Sequence, residues 1–140
     1  MSYAVKVGTD GKCAAVEMPE GADWRWYAGE IGCDHIEVVR PRGLDEPYVM
    51  IADEEGRLRD EPALNPIASW LYKTHEHGQP IVGDVLIVQE EWGEDGAELR
   101  GMALEIAEAE CTLLQCGWEI SADPLDKIRI RLAGKAAQVF

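Results

Sequence analysis

Basic side chains are in short supply. Lys and Arg number 13 against 27 Asp and Glu, which leaves a formal net charge of −14 over 140 residues. A field of that sign repels phosphate backbones and anionic lipid, so direct binding to nucleic acid or to a membrane is not expected. No run approaches the ~18 consecutive apolar residues of a spanning helix, and the N-terminus has no basic, apolar leader. These absences predict a soluble, cytoplasmic protein. The cysteines, Cys13, Cys33, Cys111 and Cys116, form no Cys-x-x-Cys pair, and the spacing of the last two suits neither a zinc knuckle nor a redox pair. Free thiols in a reducing compartment are expected. The length fits a single domain over 1–140, large enough to bury roughly two-thirds of its extended surface without staples.

Recognisable reaction chemistry is absent too. No GxGxxG or Walker loop follows a strand, and there is neither a GxSxG elbow nor a nucleophile with an obvious base. The turn Asp53-Glu54-Glu55-Gly56 lacks the alternating oxygen ligands of a calcium loop. His35, His75 and His77 are the only histidines. On a helix His75 and His77 would point in nearly opposite directions, so a metal there needs a distant ligand such as His35 or a cysteine. Asp84 is the one polar side chain in an apolar run. It reads as a hydrogen-bonded carboxylate at a strand's mouth rather than a buried acid, since buried carboxylates are rare unless paired. No catalytic residue, cofactor or metal is assigned.

What is present is clear punctuation. Asn65-Pro66 is a helix start, Ile67, Trp70, Leu71 and Thr74 share a face, and Gly78 with Pro80 is a stop, so a helix is predicted over Pro66–His77. Ile81–Val88, apolar on both parities with Gly83 marking a bulge or a close backbone approach, predicts a strand inside a sheet. Upstream, Tyr3–Val7 and Cys13–Met18 flank Asp10-Gly11 as a hairpin. Gly21–Ile31 repeats Trp24, Tyr27, Ala28 and Ile31 as a helix, with Trp26 off that face. Ile36–Arg40 and Pro47–Ala52 read as strands. Beyond an acidic turn at 90–96, Leu99, Met102, Ala103, Ile106, Ala109 and Leu113 trace a helix, with Glu98, Glu105 and Glu108 on its other side. Ile128, Ile130 and Leu132 alternate with Lys127, Arg129 and Arg131 as a half-buried strand. The expected fold is α+β: about three helices on a mostly antiparallel or mixed sheet, with 97–133 as a C-terminal extension.

The acidity is uneven. Residues 84–110 carry nine acidic and one basic side chain, whereas 111–140 carry three and four. Trp26, Trp92, Glu94, Asp95, Glu98, Glu105 and Glu108 are therefore the candidate binding residues, either for a basic protein partner or as an imitation of DNA. A third class, an enzyme or metal protein, would have to use Asp84, Glu37 and the histidines.

Ile31-Gly32-Cys33-Asp34, Ile36-Glu37-Val38-Val39, the Asp53–Gly56 turn with Leu58, Asn65-Pro66-Ile67-Ala68 and Gln79-Pro80-Ile81-Val82-Gly83 together resemble the family catalogued as domain of unknown function 3846. The resemblance covers about 24–88. It implies an accessory protein of phages, plasmids and other mobile elements and their hosts. The partner expected is a host or element-encoded protein, with self-association left open. It supplies no catalytic residue.

Overall fold

The computed structural model describes residues 1–60, 62–77 and 79–121. The Asp-Gly turn closes the first hairpin: Gly11 takes φ 80°, Asp10 Oδ1 accepts the Lys12 N–H at 3.0 Å, and β1 (Ser2–Val7) pairs antiparallel with β2 (Cys13–Met18). Then come α1 (Trp24–Ile31), β3 (Ile36–Val39), β4 (Tyr48–Asp53) and a 3-10 turn at Gly56–Leu58. The chain continues through α2 (Pro66–Leu71), α3 (Thr74–His77), β5 (Val85–Gly93), β6 (Gly96–Arg100) and α4 (Leu104–Ile120). All pairings are antiparallel, in the order β2-β1-β5-β4-β3, with β6 on β5.

β5 is the axis. Its first four residues, Val85–Val88, are fully buried because the sheet is covered on both faces. Val85 and Ile87 share a core with Val5, Val7, Met50 and the inner sides of α2 and α4, while Leu86 and Val88 pack with Ile51 and Tyr27 under α1. At about 25 cal/mol per Å² of apolar surface, each such aliphatic side chain contributes roughly 1.5–3 kcal/mol. Beyond Val88 the strand outruns β1, and β6 takes its place. The chain then crosses to β1 through the Tyr3–Met102 bridge. Gly101 makes that crossing possible, since a Cβ there would sit 2.7 Å from Ser2.

Asn65 joins the layers. Its Oδ1 caps α2 by accepting the Ala68 N–H at 3.0 Å, and its Nδ2 donates to the carbonyls of Val7 and Gly83, each at 2.9 Å. The side chain is completely buried and fully used.

The architecture is the expected α+β, but four boundaries differ. The helix predicted over Pro66–His77 breaks after Leu71, with Lys73 at φ 60°. The Gly43 N–H donates to the Leu71 carbonyl at 2.9 Å, so a loop closes the helix before its own fourth residue on can do so. The stop assigned to Gly78 lies outside the described residues. The strand predicted over Ile81–Val88 starts at Val85 and runs to Gly93. Gly83, at φ 82°, turns Ile81 and Val82 aside, and Val82 bridges Leu64 instead. The helix expected from Leu99 begins at Leu104, Leu99 being in β6 and Met102 in the bridge. Its buried stripe is Ala107, Cys111, Leu114 and Trp118, so Ile106, Ala109 and Leu113 face outward. Finally, Trp24 is 53% exposed and α1 buries Tyr27 and Ala28, because Asp23 Oδ1 caps the helix three residues later than expected. The alternating strand of residues 127–132 lies outside the described residues.

Candidate protein-docking site

The far half of β5 and all of β6 form an arm beyond the covered sheet. Trp92 pairs with Ala97 and Gly93 with Gly96, so Glu94 and Asp95 alone make the loop, with Gly96 at φ 105°. Every residue from Glu91 to Glu98 is exposed. Trp92 is 69% exposed. Such exposure of an indole on a two-stranded arm is unusual for a side chain that gains so much from burial.

The arm's root holds that indole. Glu90 receives the guanidinium of Arg40 through both carboxylate oxygens, Nε to Oε1 at 3.0 Å, and the Trp92 Nε1–H donates to the same Oε1 at 3.2 Å. The Arg40 bond, ahead of its charge, holds the Glu90 carboxyl below the usual carboxylate range. One ring edge of Trp92 is thereby tied down. Beside it lies a groove of about 450 Å³ lined by Pro41, Leu44, Pro47 and Tyr48 together with the charged Arg40, Glu46 and Glu90. The Glu46–Pro47 bond there is cis. Toward the tip, Arg100 bridges Glu91 at 2.9 Å and Glu98 at 3.2 Å, while Glu94 and Asp95 have no ion pair among the described residues.

The structure therefore places Trp92, Glu94, Asp95 and Glu98 on one arm, with Trp92 and Glu98 on opposite parities of it, and separates the other candidates from them. Trp26 is half-buried against the α1-side core, its ring edge-on to Tyr27 with centroids 5.3 Å apart. Glu105 and Glu108 are exposed on α4. Arg40, Pro41, Leu44 and Tyr48, which complete the candidate site, carry no local signal, since they lie between 42 and 50 positions from Glu90 in the chain and come near it only through sheet pairing.

Catalytic alternatives do not converge. Asp84 accepts the Thr9 N–H at 3.1 Å beside the β1–β2 turn, whereas Glu37 lines a different groove, of about 670 Å³, beside β3. In that groove Arg57 donates to the Pro80 carbonyl and to Gln79, and Asp53 is taken by Arg59. His35 sits 3.4 Å from Glu55, both exposed. His75 and His77 are on α3, but their side chains lie outside the described residues. Among the described residues no three His, Cys, Asp or Glu are grouped as a metal site. Burial, then Cys111, then Asp10 pushes the Cys13 thiol up to about 12, and burial raises Cys33 and Cys111 as well. That direction works against thiolate character at all three. No helix among the described residues is long and apolar enough to cross a membrane.

No curated protein and no solved structure matches the chain. A family model does, over residues 3–108, which takes in the first hairpin, the whole sheet and the start of α4, well beyond the 24–88 suggested by motifs. The β5–β6 arm lies inside that match. The chain belongs to the family described as Domain of unknown function (DUF3846).

Proposed function

We propose that this chain is a small acidic accessory domain that works by binding another protein, with the β5–β6 arm as the contact. The observation that carries this reading is the exposed, ring-edge-anchored Trp92 on an arm bearing Glu94 and Asp95, which have no ion pair among the described residues. A preset indole beside a partly apolar groove is the usual form of an interface anchor, and surrounding acids select a basic partner and speed its approach. The occupant is a basic, extended segment of a protein encoded by a host or a mobile element. The mobile-element origin rests on the family resemblance and is tested by the genes that flank this one.

Capture of partners from a host lysate at moderate salt, with wild type and Trp92→Ala compared, tests the binding. A partner retained by wild type and lost, by roughly tenfold or more in affinity, from a folded Trp92→Ala supports the arm as the contact. Equal retention by both rules it out. A partner that is displaced by duplex DNA and released steeply with salt would instead favour imitation of DNA.

A further inference from the structure

The α4 helix carries two apolar stripes. The inner one, Ala107, Cys111, Leu114 and Trp118, is buried. The outer one is Ile106, Ala109, Leu113, Cys116 and Ile120, again at alternating steps of three and four, and every member is exposed. Leu113 is 64% exposed and Ile120 83%. Glu105, Glu108 and Glu119 flank this stripe on one side and Glu110 on the other, and the helix contains no Lys, Arg or His.

We propose that the outer stripe is covered by this chain's own residues 122–140, through Ile128, Ile130 and Leu132. Charge favours that occupant. Residues 122–140 hold Lys127, Arg129, Arg131 and Lys135 against only Asp123 and Asp126, in a chain that is otherwise strongly acidic. A second copy of α4 would instead bring two Glu fringes face to face, a like-charge juxtaposition that opposes association. Geometry allows it. The chain leaves α4 in extended conformation at Ser121, and Asp123-Pro124 forbids simple continuation of the helix. The stripe from Ile120 back to Ile106 is about 21 Å long at the helical rise. The residues from Lys127 onward span up to ~46 Å when extended, enough to run back along all of it. The apolar parity of the segment then meets the stripe, and the basic side chains lie within reach of the glutamates. This contact is independent of the arm on β5 and β6.

Cys116 lies in the stripe and reports on it. Its alkylation in the full chain is followed by peptide mass mapping, for wild type and for the combined variant Ile128→Asp, Ile130→Asp, Leu132→Asp. Circular dichroism checks that the body of the fold is unchanged. The expected result is slow labelling in wild type at every protein concentration, and labelling faster by roughly tenfold or more in the variant, as for release of a locally docked segment. Equal rates in the two proteins, whether fast or slow, overturn the proposal. So does protection that appears only at high concentration together with a doubled mass, because the cover would then be a second copy.

Discussion

Asn65 shows how much one side chain can decide. Its three hydrogen bonds tie the first turn of α2 directly to the end of β1 and to Gly83. Asn65→Ala strands a helix N–H and two carbonyls in the interior and is expected to cost about 3 kcal/mol, read as a shift in the denaturant midpoint. Asn65→Asp keeps the cap but removes both donors and buries a charge, so it should be no better tolerated than the alanine. Glu90 acts at the same scale, through pH. Its folded-state pKa is depressed, first by the Arg40 hydrogen bond, so the stability it contributes is present above the unfolded carboxylate value and is lost as pH falls through the folded one. Thermal midpoints measured on the acid side should therefore fall less steeply in Arg40→Met than in wild type. An identical acid limb in the two proteins would contradict the coupling.

Among the elements, the broken helix is the clearest case of tertiary structure overriding local pattern. Pro66–His77 has a start, a face and a stop, yet the Gly43 loop caps Leu71 and the chain turns through Lys73 in the left-handed region. A Cβ on residue 43 would approach the Leu71 carbonyl oxygen to 2.6 Å. Gly43→Ala is thus expected to destabilise by about 1–3 kcal/mol, through a forced shift of that loop. Lys73→Gly should do the reverse, stabilising by up to about 1 kcal/mol, because glycine takes a positive φ without the Cβ clash. Chemical denaturation of the two variants checks both signs. The α4 helix shows the same lesson in another form. With two apolar stripes available, periodicity identifies a helix but leaves its rotation open, and the choice falls to the bridge at Met102 that sets where the helix begins.

For the whole molecule, a net charge of −14 on so small a body means that folding works against self-repulsion. Salt relieves that repulsion once the screening length falls to about 10 Å or less, so raising ionic strength from low values should raise the thermal midpoint. A midpoint that falls or stays flat would show instead that local ion pairs such as Arg40–Glu90 and Arg59–Asp53 outweigh the overall repulsion. The arm of β5 and β6 carries part of that excess, with Glu90, Glu91, Glu94, Asp95 and Glu98 against Arg100 alone.

Local chemistry by itself determined the elements that depend on neighbours in the chain: the Asp-Gly hairpin, the Asn-Pro helix start, the buried run of β5 and the α+β class. Those features rest on backbone preference and on the period of apolar residues, both of which are written within a few positions. Only the tertiary structure decided where α2 stops, which stripe of α4 faces the core, that β5 runs on to carry Trp92 into solvent, and that Arg40 and Tyr48 stand beside it. Each of these depends on a partner many residues away, and such a partner becomes a neighbour only when the sheet is assembled.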